Sequence, residues 1–86
     1  MQFIDTDIEG LKIIEPKIWA DDRGYFYESF NEKVWKENMP EVQFIQDNQA
    51  KSSRGVLRGL HYQAGAAAQS KLVRVIHGEV LDVVVD

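Results

Sequence analysis

The stretch KIWADDRGYFYESF, residues 17–30, places a turn between two strand-forming segments. Its centre at 21–24 contains the aspartate and glycine residue types that favour turns. The segment that follows is rich in aromatic side chains, which have a high β-propensity. The stretch therefore predicts extended segments at 17–20 and 25–30 joined by a turn, as expected at the start of a β-rich fold.

The residues on either side of this stretch predict one further extended segment and one helix. Residues 11–15 favour extended structure, and Pro16, which cannot donate to a sheet ladder, marks an edge or a corner. On the other side, Asn31 is a good N-cap for a short surface helix over 32–38, which Met39-Pro40 should end. No other segment predicts a helix.

The second half of the chain alternates strand-forming segments with short connections. A turn is expected at 52–55, a loop at 64–70 and a tight connection at His77-Gly78. Strands are predicted between these connections, at 42–48, 56–63, 71–76 and 80–86. The predicted fold class is mainly β with one short surface helix, at spacings typical of sandwiches, barrels and jelly rolls.

Size and composition indicate one small domain that binds a small partner. A chain of 86 residues buries little more than about 60% of its surface, and without cysteine its remaining route to stability is oligomerisation. The net charge of -4, with no block of like charge, argues against a nucleic-acid or anionic-membrane binder. Neither a signal-peptide pattern nor an apolar run of membrane-spanning length is present, so a cytoplasmic location is expected.

The last residues, 79–86, have the pattern of a buried strand interior, and no turn signal follows them. Natural domains rarely end in this way. We therefore expect residues 1–86 to be the N-terminal portion of a longer single domain.

Two polar side chains near the predicted strands 56–63 and 71–76 suit proton-transfer chemistry. If these strands pair antiparallel across their loop, His61, Gln63 and Lys71 share one sheet face. A neutral imidazole accepts a proton, and a nearby ammonium stabilises negative charge growing on a carbonyl oxygen. The pair His61 and Lys71 therefore suits proton abstraction next to a ketone.

Two arginines are candidates for binding the phosphates of a diphosphate. Arg23 lies in the predicted turn, and the planar guanidinium of each arginine suits phosphate oxygens. Strict strand alternation places Arg58 on the face opposite His61, unless Gly59 marks a bulge. Acceptors and amides for sugar hydroxyls or a pyrimidine edge are offered by Glu28, Gln46 and Asn48.

Structural roles compete with each of these assignments. A histidine in a strand is often structural, and sequence physics alone favours an exposed Arg23 paired with Asp21 or Asp22 over a phosphate ligand. The aromatic residues at 25–27 suit core or dimer packing better than stacking on a base. A metal site of the cupin type needs a His-x-His pair, but its second position here is Gln63, so a tight metal site lacks ligands.

Several motifs together resemble one known family over the whole chain. The chain is similar to the N-terminal half of the dTDP-4-dehydrorhamnose 3,5-epimerase family, whose fold is a cupin-like jelly roll, or double-stranded β-helix, here incomplete. The matching pieces are Ile14-Glu15-Pro16, Asp22-Arg23-Gly24 with Phe26, Glu28-Ser29-Phe30, and the segments 44–48, 55–63, 71–74 and 78–86.

The resemblance implies a dimeric isomerase that needs neither metal nor nicotinamide cofactor. Its reaction converts dTDP-4-dehydro-6-deoxy-glucose to dTDP-4-dehydro-rhamnose in dTDP-rhamnose biosynthesis. By similarity His61 is the base that removes the protons flanking the C4 ketone, and Lys71 stabilises the enolate. The nucleotide-sugar pocket then contains Arg23, Glu28, Gln46, Asp47, Asn48 and Arg58, the first two reaching into the partner subunit's site.

The chain also departs from the family pattern. The family's tyrosine acid and the aspartate that orients the histidine lie beyond the equivalent of Asp86. Without an acid, epimerisation stalls after proton removal, so the 86-residue form is expected to be inactive or nearly so. A truncated module that binds the dTDP-sugar or dimerises is the alternative, and a small metal-binding cupin is a weaker one.

Overall fold

The computed structural model describes residues 1–62, 64–65 and 68–86, which form two compact units. One unit is Met1–Val42 with Leu81–Asp86, and the other is Gln43–Val80. The regular elements are β1 (Gln2–Asp5), β2 (Lys12–Glu15), β3 (Ile18–Asp21), β4 (Gly24–Tyr27) and α1 (Glu32–Asn38). The fold is mainly β with one short helix, as predicted, and is consistent with part of a cupin-like epimerase domain.

The strands β1 and β2 form an antiparallel hairpin in which Phe3 lies opposite Ile14. The Thr6 hydroxyl organises the connection, because it accepts a hydrogen bond from the Ile8 amide at 3.2 Å and donates to the Leu11 carbonyl at 2.8 Å. The sequence predicted β2 but not β1. The four residues of β1 are too few, and have no turn-forming residue before them, to predict a strand from the sequence.

The strands β3 and β4 form a second antiparallel hairpin with a two-residue connection. Asp21 is paired with Gly24, so Asp22 and Arg23 form the turn. Gly24 has a φ of 136°, in the range that glycine adopts without strain, and this explains the glycine at the end of the turn. The predicted turn at 21–24 is confirmed.

The helix α1 begins and ends where the sequence predicts. Asn31 is its N-cap, with the side chain accepting a hydrogen bond from the Val34 amide at 3.2 Å. Trp35 is 5% exposed and is the buried hydrophobic residue of the described chain. With seven residues α1 is far too short to cross a bilayer, and the described residues contain no other α-helix.

The described residues of 43–86 form no strand, so the predictions at 42–48, 56–63, 71–76 and 80–86 are wrong for this structure. A strand needs a neighbour that pairs with its backbone N–H and C=O groups, and these segments have none. Their apolar side chains are correspondingly exposed, with Leu57 at 93%. The expected turn at 52–55 is present, since the Val56 amide donates to the Ser53 carbonyl at 3.3 Å.

The remaining connections agree with the sequence as far as they are described. His77 lies in a bend, followed by Gly78 with a φ of 86°. In the predicted loop 64–70 the Ala68 amide donates to the Gly65 carbonyl at 3.1 Å. The loop prediction at Ala66 and Ala67 lies outside the described residues.

Candidate functional site

His61 and Lys71 line one surface depression of about 510 Å³, together with Leu60 and Tyr62. All four residues belong to the unit Gln43–Val80, and all four are exposed. Neither the imidazole nor the ammonium forms a hydrogen bond or ion pair with another described residue. Both groups are therefore available to a ligand in the same depression.

The backbone arrangement that brings His61 and Lys71 together differs from the predicted pair of antiparallel strands. No ladder joins the described residues around His61 to those around Lys71. Three successive residues, 60–62, line the depression, whereas a strand directs alternate side chains to opposite faces. The predicted sheet face also included Gln63, which lies outside the described residues.

Arg58 is not one of the described residues that line this depression. Its Nε donates to the Ser52 hydroxyl at 2.9 Å, and its Nη2 donates to the Lys51 carbonyl at 3.5 Å. The guanidinium is thus held at the turn that precedes its own segment. Gly59 does have a positive φ, of 135°, but it does not form a bulge, because the described residues of its segment form no ladder that a bulge could interrupt.

The polar residues at 46–48 form a small exposed group. The Gln46 side-chain amide donates to the Asn48 side-chain carbonyl oxygen at 3.4 Å, and two residues of separation let the two side chains meet. Asp47 is exposed and has no hydrogen bond or ion pair with another described residue. This group offers two amides and a carboxylate to hydroxyl or base-edge partners.

Arg23 and Glu28 belong to the unit that contains Met1–Val42. Arg23 forms an ion pair with Asp21, with Nη2 and Oδ2 at 2.5 Å. Two hydrogen bonds lower the pKa of Asp21, of which the one from the Arg23 side chain has the larger effect and the one from the Arg23 backbone amide the smaller. The side-chain hydrogen bond also raises the pKa of Arg23. Glu28 follows β4, is exposed, and has no such partner in the described chain.

No group of three or more histidine, aspartate or glutamate side chains in the described ranges could hold a metal ion. His77, the second histidine, lies in the bend before Gly78. The expectation that no cofactor is needed stays a prediction.

Sequence reasoning missed three contacts of the candidate site. Leu60 and Tyr62 line the depression beside His61, although alternation placed them on the opposite face. Ser52 accepts the hydrogen bond of Arg58 from a turn six residues earlier. The only signal for the first two was their adjacency to His61, and the sequence contained no signal for the third.

The fold and the site define a mainly β chain in which the exposed side chains of His61 and Lys71 line one depression. The family model described as dTDP-4-dehydrorhamnose 3,5-epimerase matches residues 5–86. The chain therefore belongs to the dTDP-4-dehydrorhamnose 3,5-epimerase family, and the resemblance predicted from its motifs is confirmed.

Curated relatives from several organisms support the same family. The chain is 56% identical to a dTDP-4-dehydrorhamnose 3,5-epimerase of Methanothermobacter thermautotrophicus over 99% of its own length and 45% of the relative. It is 55% identical to the protein of that name from Shigella flexneri, covering 100% of the chain and 48% of the relative. It is 53% identical to the protein of that name from Escherichia coli, covering 100% of the chain and 47% of the relative. The chain thus spans under half the length of these relatives.

Proposed function

We propose that this chain supplies the proton-abstraction machinery of a nucleotide-sugar 3,5-epimerase. Its substrate is dTDP-4-dehydro-6-deoxy-glucose, and the product of the whole reaction is dTDP-4-dehydro-rhamnose. The observation that supports this proposal most is that His61 and Lys71 line one depression and have no hydrogen-bond or ion-pair partner among the described residues. Membership of the family supports the proposed substrate and reaction type.

The chemistry follows from the two side chains. The His61 imidazole takes a proton from a carbon next to the C4 ketone, and the electrons of that C–H bond move to give an enolate. The Lys71 ammonium stabilises the negative charge on the enolate oxygen, which is where charge develops in the transition state. Return of a proton to the opposite face of the carbon completes the inversion, first at one carbon and then at the other.

The remaining polar residues bind the nucleotide sugar in this proposal. Arg58 and Arg23 bind the diphosphate, because guanidinium groups match phosphate oxygens in charge and shape. Arg23 does so in the site of a second copy of the chain, where Glu28 accepts hydrogen bonds from sugar hydroxyls or the pyrimidine edge. Sugar hydroxyls and the pyrimidine edge are bound by Gln46, Asp47 and Asn48, whose polar groups are exposed.

The biological setting is part of the same proposal. Residues 1–86 act as a portion of a single epimerase domain, in a homodimer located in the cytoplasm. Exposed aromatic side chains on the β3–β4 hairpin, such as Tyr25 at 71% and Phe26 at 69%, support association with a second copy. A net charge of -4 without a basic block supports a role that does not involve nucleic acid.

A binding or assembly module is the second candidate. It is favoured by the share of the relatives that the chain covers, which is under half. Such a module would bind dTDP and dimerise through its hairpins without completing catalysis. The two candidates differ in whether the depression beside His61 removes a proton.

Hydrogen exchange separates the two candidates. The chain is incubated with the dTDP-keto-sugar in D₂O, and deuterium at C3 and C5 is measured by NMR, beside a titration with dTDP. We expect deuterium to enter at least one of these carbons, with little or no inverted product. Binding of dTDP without any incorporation would support the module and contradict the enzymatic proposal.

A further inference from the structure

The turn between β3 and β4 contains an aspartate and an arginine joined by several hydrogen bonds. The Arg23 backbone amide donates to Asp21 Oδ1 at 2.9 Å. The Arg23 Nε lies 3.3 Å from Oδ1 and 3.2 Å from Oδ2, and its Nη2 donates to Oδ2 at 2.5 Å. One carboxylate thus holds both the backbone and the side chain of the arginine.

The two residues differ in how firmly the backbone fixes them. Asp21 is the last residue of β3 and is paired with Gly24 across the hairpin. Arg23 lies in the turn itself, and its side chain is 90% exposed. A long exposed side chain ordinarily samples many rotamers, and ordering it on binding an anion costs free energy. The contact with Asp21 orders this side chain before a ligand arrives.

The geometry also decides which edge of the guanidinium remains available. Asp21 occupies the edge formed by Nε and Nη2. The edge formed by Nη1 and Nη2 faces no hydrogen-bond partner among the described residues, since Nη1 has none. This second edge matches two oxygens of a phosphate in a parallel pair of N–H···O bonds.

We infer that Asp21 is a positioning residue, which holds the Arg23 side chain so that its free Nη1–Nη2 edge receives the diphosphate of the nucleotide sugar. The inference rests on the proposed function, since it takes the diphosphate as the ligand of Arg23. It adds a residue to the binding machinery that acts only through Arg23. The lowered pKa of Asp21 is consistent with this role, because the carboxylate stays ionised at neutral pH.

Asp21 also has an effect that lowers the affinity for a phosphate. The Asp21 carboxylate repels a bound phosphate, and its removal would strengthen binding if repulsion dominated. Salt weakens both effects, with a screening length of about 8 Å at about 0.15 M ionic strength. The repulsion acts across the guanidinium, whereas the hydrogen bonds that order the side chain act in direct contact and are weakened less. At that ionic strength we expect the ordering effect to exceed the repulsion.

The test measures binding of dTDP and of thymidine to the full chain by isothermal titration calorimetry. Asp21→Asn keeps an oxygen that accepts the Arg23 backbone amide but removes the ion pair. We expect it to weaken dTDP binding about threefold to fivefold, the upper part of the range of an exposed ion pair, and to leave thymidine binding unchanged. Asp22→Asn is the matched control, because Asp22 carries the same charge in the same turn without a described hydrogen bond or ion pair. It should bind dTDP at least as tightly as the unchanged chain.

A double-mutant cycle shows whether Asp21 acts through the arginine. Arg23→Lys keeps the charge and removes the planar fork, so Asp21→Asn should change dTDP affinity by less than about 1.5-fold in that background. An equal loss in both backgrounds would overturn the inference by assigning Asp21 a purely structural role in the turn. Unchanged or tighter dTDP binding by Asp21→Asn would overturn it as well.

A ligand-free measurement distinguishes failure of this inference from failure of the proposed function. In NMR of the arginine Nε–H groups, Arg23 should be more ordered than Arg54 and Arg74, which have no described side-chain partners, and Asp21→Asn should remove the difference. An Arg23 as mobile as those two would overturn the positioning role alone. Equal affinity of the unchanged chain for dTDP and thymidine would contradict the diphosphate site, and the inference with it.

Discussion

Phe3 packs edge-on against Trp35, with ring centroids 4.9 Å apart and ring planes inclined by 77°. The ring centroid of Phe30, the residue just before the N-cap, lies 5.7 Å from that of the same indole. Side chains from β1, from α1 and from the residue before the N-cap therefore meet at Trp35. Edge-to-face aromatic contacts stabilise beyond the area they bury. Trp35, at the centre of this three-ring cluster, is the buried core residue of the unit that contains Met1–Val42.

Replacement of Trp35 by alanine should therefore remove most of the stability of that unit. Truncation of a buried tryptophan costs about 3–5 kcal/mol, which is comparable with the whole stability of a small domain, about 5 kcal/mol. Urea unfolding followed by far-UV circular dichroism measures the loss. Trp19→Ala is the control, because Trp19 is exposed, and it should cost less than about 1 kcal/mol. A Trp35→Ala protein within about 1 kcal/mol of the unchanged chain would contradict the cluster as core.

The cap of α1 gives a second prediction. Asn31→Ala removes the acceptor for the Val34 amide and should destabilise the helix by about 1 kcal/mol. Asn31→Asp and Asn31→Ser keep an acceptor and should retain the helix signal in circular dichroism. Equal helicity in the alanine and serine variants would show that the cap is not responsible.

The helix should also depend on pH through an ion pair on its surface. Glu32 Oε1 lies 2.7 Å from Lys36 Nζ, and this hydrogen bond, together with the lysine charge, lowers the pKa of Glu32 below its ordinary value of 4.5. A carboxyl whose pKa is lower in the folded state stabilises that state above pH 4.5 and loses this effect as the pH falls through the folded-state pKa.

Helicity should thus decrease as the pH falls below 4.5, and Glu32→Gln should reduce this dependence. A pH titration of the circular dichroism signal of both proteins, at low and high salt, measures the effect. Identical titration curves for the two proteins would assign the dependence to other carboxyls.

The parts of the fold that sequence predicted are those fixed by local chemistry. Asn31 as a cap, Pro16 as a break and the turn ending at Gly24 all act within a few residues of themselves. The second half was predicted as strands from its β-branched and aromatic residues, but a strand exists only where a neighbouring segment pairs with it. Residues 43–86 have no such neighbour among the described ones, so their propensity alone did not produce a ladder.

The candidate site shows the same division. The grouping of His61 with Lys71 was predicted, although through a strand pairing that the described residues do not form. The contact of Arg58 with Ser52 depends on the path of the chain around 52–55 and has no counterpart in composition or spacing. The pairing of Arg23 with Asp21 was foreseen because the two residues are neighbours in a turn.

Lys71 should contribute through its charge at the enolate oxygen. Lys71→Met should slow deuterium incorporation by about 10²–10³-fold, the cost of removing one group that stabilises a developing oxyanion. Lys71→Arg keeps the charge and should retain more of the exchange rate. Lys33→Met, on the surface of α1, is the control for loss of a lysine elsewhere. A Lys71→Met protein that exchanges as fast as the Lys33→Met protein would exclude this role.

The most direct test of the central claim compares the two histidines of the chain in the deuterium-exchange assay. His61→Ala should lower incorporation at C3 and C5 by about 10²–10⁴-fold, the contribution of a general base, while His77→Ala, in the bend before Gly78, should leave the rate unchanged. Incorporation by the His61→Ala protein at the rate of the unchanged chain would contradict the assignment of His61 as the base.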